Sequence, residues 1–160
     1  MTKITEAQLR TSKEIEQILH PLVKQWFFSR FEEFSLPQRY GVLSIWERKN
    51  ILISAETGGT KTLTAFLSIL NHLVNLAEKN ELEKKIYAVY CSPLKALSND
   101  IHKNLIEPLE EIEKIAQTHN VKLQKIRIGL RTGDTTTSES AKMAKNPPHI
   151  LITTPESLAI

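Results

Sequence analysis

"SAETGGTKT", residues 54 to 62, is the stretch whose reading decides the fold. Just ahead of it and overlapping it lies "NILIS", residues 50–54, a short apolar run with the length of a buried strand. After it, residues 61–77 are apolar on most sides, with Leu63, Ala65, Phe66, Leu67, Ile69, Leu70, Leu73, Val74 and Leu76. A helix that apolar is normally covered by neighbours. A strand, a glycine turn and a helix opening with Lys-Thr is the context that a phosphate-binding loop requires. The mechanism is geometric: consecutive backbone N–H groups point at phosphate oxygens, and the helix N-terminus adds positive potential. The residues expected to contact a nucleotide here are Thr57, Gly58, Gly59, Thr60, Lys61 and Thr62. Lys61 would reach the β and γ phosphates, and the Thr62 hydroxyl would ligate Mg²⁺.

The pattern G-x-x-x-x-G-K-[ST] has glycine where this chain has Thr60. A threonine side chain intrudes on the space where backbone and phosphate approach. Should the position need φ > 0, a β-branched residue there costs on the order of 1–2 kcal/mol. Glu56 adds a carboxylate beside a polyphosphate, a repulsion that water only partly screens. The competing structural reading is a plain strand-turn-helix with Thr60 as N-cap. Lys61 and Thr62 remain, so the residues predict weakened rather than abolished ATP and Mg²⁺ binding.

Outward from this loop, strands alternate with helices. Residues 5–20 and "PLVKQWFFSRF" read as amphipathic and aromatic-rich helices, and Pro37 suits the start of a third. "IYAVYCS", "KIRIGL" and "HILIT" read as strands. Residues 94–118 read as a long helix that Pro108 should kink or split. "TTTSESAKMAK" reads as a short helix capped by Ser138 or a neighbouring Thr, with acidic Glu139 early, and "PESLAI" begins another. This order predicts an α/β fold, a parallel sheet covered by helices on both faces.

Composition narrows the function classes. Of 160 residues, 41% are hydrophobic and 24% charged, ordinary for a globular domain with one core. No apolar run approaches the ~20 residues of a membrane helix, and "MTKITEAQLR" lacks a secretory apolar stretch, so no membrane partner and a cytoplasmic location are expected. The single cysteine, Cys91, excludes an internal disulfide and fits a reducing compartment. None of the five histidines has a second ligand at metal spacing. A net charge of +3 permits nucleic acid as a partner without requiring it.

Three segments in order resemble one family. "FSLPQRYGVLSIWERKNILISAETGGTKTLTAFLSIL" resembles the nucleotide-binding start of superfamily 2 helicases, "YCSPLKALSNDIHKNL" their motif Ia, and "RTGDTTTSESAKMAKNPPHILITTPESLAI" the segment through motif Ib, in the form of large helicase-related (Lhr-type) proteins. The resemblance implies a RecA-like P-loop NTPase domain, with residues 1–36 an N-terminal helical segment and 37–160 part of a first RecA-like domain. Gln38 matches the family's adenine-reading glutamine, whose amide can donate and accept at once. One of Trp26, Phe27 or Phe28 could stack on the base, or all three could be core. The resemblance places Ser92, Pro93, Leu94 and Lys95, the loop Gly133 and Asp134, and Thr153, Thr154, Pro155, Glu156 and Ser157 against a sugar-phosphate backbone. "TTPES" is equally read as a helix cap, Thr153 or Thr154 with a following Glu. Such contacts are independent of base sequence, so DNA or RNA would be bound without sequence preference.

The family's motif II, an apolar strand ending in Asp-Glu, has no match among the 160 residues, nor does the second RecA-like domain. The expectation is therefore a piece of an ATP-dependent helicase, truncated before motif II, that binds ATP and nucleic acid without hydrolysis or unwinding of its own. Its partners would include the remainder of a helicase or a second copy, and its isolated stability would be marginal because a sheet strand is missing. The alternative expectation is a degenerate, non-enzymatic module for nucleic acid or a protein partner, with an impaired phosphate loop.

Overall fold

The computed structural model describes residues 5–56, 60–93 and 100–158. The chain opens with an extended segment held against the third helix: Arg10 N donates to the Arg39 carbonyl at 3.0 Å and Arg39 Nε to the Arg10 carbonyl at 2.9 Å. Helix α1 is therefore short, Ser12–Ile18, rather than running from residue 5. Its start is set by a capping box in which Thr11 and Glu14 satisfy each other's backbone N–H groups. Helix α2 is Pro21–Arg30, with proline in its first turn and the His20 ring accepting from Leu22 N at 3.2 Å. Helix α3 is Leu36–Trp46 and α4 is Lys61–Glu78.

Strand β1 is Ala88–Cys91, β2 is Ile128–Arg131 and β3 is Ile150–Thr153. All pair in parallel in the order β1-β3-β2, with Cys91 and Arg131 both opposite Thr153. Between β1 and β2, a π-helical stretch His102–Ile106 runs into α5, Glu107–Thr118, with Pro108 in its first turn. Proline has no N–H for the preceding turn, and the widened turn ahead of it is how the long helix absorbs that loss. Between β2 and β3 lies α6, Thr137–Lys145, capped by Thr136 rather than Ser138, in a capping box with Glu139. Helix α7, Pro155–Leu158, follows β3.

The core joins helices α1 to α5 to one face of the sheet. Phe66, Leu67, Leu70, Leu73 and Val74 of α4 are fully buried among Ile15, Val23, Phe27, Leu105, Ile112 and Ile150. Buried Asn71 ties the N-terminal helices to α4: its Oδ1 accepts from His20 N at 2.6 Å and its Nδ2 donates to the Ile18 carbonyl at 2.9 Å. One sheet face, with Tyr90, Ile150 and Ile152, packs onto this core. On the other, Met143 of α6 and Pro148 lie over Gly129, where any Cβ would fall within 2.7 Å of Pro148. Val89 and Cys91 at the β1 edge stay exposed.

The segment "NILIS" is not a strand of this sheet. Residues 51–56 alternate between half-buried and exposed, the period of extended backbone, but pair with no strand among the described residues. A strand exists only through its neighbour, and none lies alongside among the described residues. Ile53 packs inward at Gly41, where an added Cβ would lie 2.8 Å from it and 2.6 Å from Thr64.

Candidate nucleotide and nucleic-acid site

A parallel sheet delivers the ends of its strands to one edge. Ser92, immediately after β1, donates its N–H to the Thr153 carbonyl at 3.1 Å. The residues after β3, Thr154 to Ser157, and the turn after β2, with Gly133 and Asp134, leave the same edge. Ser92, Thr153, Thr154 and Ser157 are buried, whereas Pro93, Gly133, Asp134, Pro155 and Glu156 are exposed. The "TTPES" cap is formed by Thr154 without the glutamate: its hydroxyl accepts from Ser157 N at 3.4 Å and donates to Ser157 Oγ at 3.1 Å. Thr57, Gly58, Gly59, Leu94 and Lys95 lie outside the described residues.

Lys61 and Thr62 begin α4. Thr60 stands at the N-cap position with φ −78°, so no positive-φ strain arises there. Its side chain does not cap the helix; its hydroxyl is hydrogen-bonded to Ser35 Oγ. Lys61 turns back on the loop, its Nζ donating to the Ala55 carbonyl at 2.6 Å and the Glu56 carbonyl at 2.7 Å. The ammonium thus sits where the loop's carbonyls substitute for an anion.

Gln38, in the first turn of α3, is 1% exposed. Its Oε1 accepts from Ser35 N at 2.8 Å, while Nε2 has no partner among the described residues. A buried unpaired donor is costly, and an acceptor such as a purine ring nitrogen would satisfy it. The amide therefore has a donor to offer and its acceptor is already committed, half of the double contact expected of it. Trp26 and Phe27 are core residues, not base platforms: Trp26 donates from Nε1 to Glu111 at 2.8 Å, and Phe27 stacks on Phe34 with centroids 4.4 Å apart. Phe28, 37% exposed, meets Phe27 and Phe34 edge-on.

Tyr90 and Asp100 were missed by sequence reasoning. The Tyr90 ring lies on Phe66 with centroids 5.2 Å apart, and its hydroxyl donates to Asp100 Oδ2 at 3.2 Å. Burial raises the Tyr90 pKa, and the charge of Asp100 beside it acts in the same direction. No local pattern announces such a pair, because strand and helix meet only in the fold. Among the described residues no three His, Cys, Asp or Glu side chains gather as a metal site. Magnesium here would rest on the Thr62 hydroxyl, phosphate oxygens and water, a donor set that suits this ion.

A family model for the DEAD/DEAH box helicases matches residues 36–160, so the chain belongs to that family. Within it, the chain is similar to Lhr-type proteins. It is 51% identical over 150 residues to the ATP-dependent helicase Lhr-Core of Methanocaldococcus jannaschii, covering 94% of this chain and 18% of that protein. The Mycobacterium smegmatis helicase Lhr, solved bound to ssDNA and AMP-PNP, superposes with a TM-score of 0.76 at 37% identity, over 88% of this chain and 17% of that one. The DEAD-box helicase Mss116, solved bound to ssRNA and UDP-BeF, shares the fold at a TM-score of 0.66 and 20% identity, over 97% of this chain and 30% of its own. The chain spans less than a fifth of the Lhr relatives' length. The fold is RecA-like.

Proposed function

We propose that this chain is the ATP- and nucleic-acid-binding opening of an Lhr-type, ATP-dependent helicase. Lys61, Thr62 and the amides of Thr57 to Thr60 take the phosphates with Mg²⁺ on the Thr62 hydroxyl, and Gln38 donates to adenine. Ser92 to Lys95, Gly133, Asp134 and Thr153 to Ser157 meet the backbone of single-stranded DNA or RNA, without base preference. The observation that carries this reading is the convergence of Ser92, Thr153 and Thr154 at the carboxyl edge of a parallel sheet, the place where open α/β sheets bind ligands. ATP bound with Mg²⁺ supplies the driving reaction in such enzymes; the residues here bind and orient it. The 160 residues hold no apolar strand ending in Asp-Glu of the kind that positions an attacking water, and on this reading they bind ATP by themselves without turnover. The outer edge of β1, unpaired among the described residues, suits a further strand, from the remainder of a helicase or from a second copy.

Calorimetry with ATP·Mg²⁺ tests the reading: saturable binding that weakens about 10- to 100-fold in Lys61→Ala, with no phosphate release, is expected. Turnover by this chain that disappears in Lys61→Ala would overturn the non-hydrolytic part.

A second reading, a nucleotide-free binding module, is favoured by the internal engagement of Lys61 and Thr60. Binding that appears only in Thr60→Gly would support it; binding in both forms keeps the first reading.

A further inference from the structure

Parallel strands gather their entries at one edge, opposite their exits. The segments entering β1, β2 and β3 are tied together there: Tyr87 N donates to the His149 carbonyl at 2.8 Å, and His149 N to the Arg127 carbonyl at 2.8 Å. Gln124 adds a clasp, its Oε1 accepting from Leu82 N at 2.8 Å and its Nε2 donating to the Leu82 carbonyl at 2.9 Å. The end of α3 joins them, because Arg48 and Lys85 line one cavity. These segments, 47–50, 79–87, 119–127 and 145–149, hold nine Lys and Arg residues against three Glu. At the exits the balance reverses: among the described residues there, Glu56, Asp100, Asp134 and Glu156 outnumber Lys61 and Arg131. The positive charge of the chain is thus concentrated at the entry edge, the footprint expected for a polyanion. Arg48, Lys79, Lys84, Lys122 and Lys145 are exposed there and form no ion pair among the described residues.

The cavity at this edge has a volume of about 580 Å³, within the range of small-ligand sites. Its walls are aromatic: Trp46 and His72 meet edge to face with centroids 6.1 Å apart, and His72 and Tyr87 with centroids 6.0 Å apart. Lys85 Nζ lies 5.0 Å from the Tyr87 ring centroid and donates to Glu83 at 2.9 Å. No carboxylate lines the cavity among the described residues. The turns after α4 and α5 use Asn80 and Asn120 in the left-handed region, which that residue type favours; after α3 the same region holds Arg48, at φ 58°. A less suitable backbone is accepted there, and a guanidinium lines the cavity. We propose that the entry edge is a second nucleic-acid surface, with the backbone of a single strand on its lysines and one base in the cavity beside Trp46. Basic side chains along a surface interleaved with aromatic rings are what single strands require. An anionic bilayer would satisfy the lysines and leave the cavity empty, and a duplex keeps its bases in the stack. This surface is separate from the nucleotide loop and from the strand exits, and it does not depend on either.

The test follows the anisotropy of a fluorescein-labelled oligo-dT on the 160-residue chain across a salt series, without nucleotide. Lys84→Ala combined with Lys122→Ala should weaken binding about fivefold or more and reduce the slope of log affinity against log salt by about 1. Lys13→Ala combined with Lys103→Ala removes the same charge elsewhere and should change affinity less than about twofold. All four lysines are exposed, so folding is not at stake. An abasic strand of the same length should bind about fivefold or more weakly than oligo-dT, for want of a stacked base. Trp26 is buried and Trp46 half-buried, so oligo-dT should quench tryptophan emission in the unaltered chain and not in Trp46→Phe. Equal losses in the two lysine pairs overturn the proposal, as does unchanged affinity in Lys84→Ala with Lys122→Ala. An abasic strand, poly-glutamate or phosphatidylserine vesicles bound as tightly as oligo-dT at equal charge also overturn it, as does emission that oligo-dT leaves unquenched.

Discussion

Lys61 Nζ donates to the backbone carbonyl of Ala55, six residues earlier, at 2.6 Å. The lysine that would grip a polyphosphate is closing its own loop instead. A bound triphosphate must win it from two carbonyls, and a charge-assisted bond to phosphate is the stronger partner. Removing the ammonium therefore removes a ligand contact and a loop contact together. Lys61→Ala should weaken ATP binding about 10- to 100-fold by calorimetry, as expected for a lost charged hydrogen bond of about 1.5–3 kcal/mol. An unchanged affinity would mean that the lysine never leaves the loop.

Thr60→Gly should tighten nucleotide binding. The substitution frees the loop from Ser35 and removes the side chain at the loop's narrowest point. The same change gives up a hydrogen bond and adds backbone freedom, so thermal unfolding should shift down by about 1 kcal/mol. Tightening by calorimetry together with a lower melting midpoint is the expected pair.

Gly41→Ala should destabilise the fold by about 1–3 kcal/mol, the usual cost of overpacking. A methyl group there would lie 2.6 Å from Thr64 and 2.8 Å from Ile53. Because Ile53 leads directly into the phosphate loop, ATP affinity should fall as well. Urea denaturation and calorimetry on the same variant check both effects.

Stability should decline as pH falls below about 6.5. His72 is depressed below its ordinary value of 6.5 by burial and then by Arg48 and Lys85, and His149 by burial and then by Arg127. Both are held neutral in the fold, so the unfolded chain takes up protons first. The stability they leave intact above the unfolded value is lost as acid is added. Melting midpoints across pH 5–8 should show this slope, and His72→Phe should flatten part of it.

Concentrated chain should associate through the outer edge of β1. With β3 on its inner side, the alternating backbone groups of Val89 and Cys91 face outward, and both side chains are exposed. Sedimentation velocity should show concentration-dependent association that Val89→Lys reduces.

Periodicity and spacing carried much of this architecture. The largely apolar character of α4 and the strand-turn-helix rhythm suffice for a parallel sheet covered by helices. "T-x-x-E" at Thr11 and "S-x-x-Q" at Ser35 are readable start signals, and the first would have shortened α1. What stayed hidden depends on contacts between distant segments. Whether residues 50–54 pair is decided by the presence of a neighbour, which apolar character cannot reveal. The aromatic run 26–28 divides only when packing buries Trp26 and Phe27 and leaves Phe28 outward. The Tyr90–Asp100 bond joins a strand to a helix across ten residues, with no local rule to announce it.

Among the described residues the outer flank of β1 is bare, and this gives the molecule freedom in one direction. A ribbon added there broadens the sheet sideways, perpendicular to the line of strand exits. Hydroxyls and amides already assembled at those exits would keep their spacing while the scaffold beneath them grows wider and stiffer.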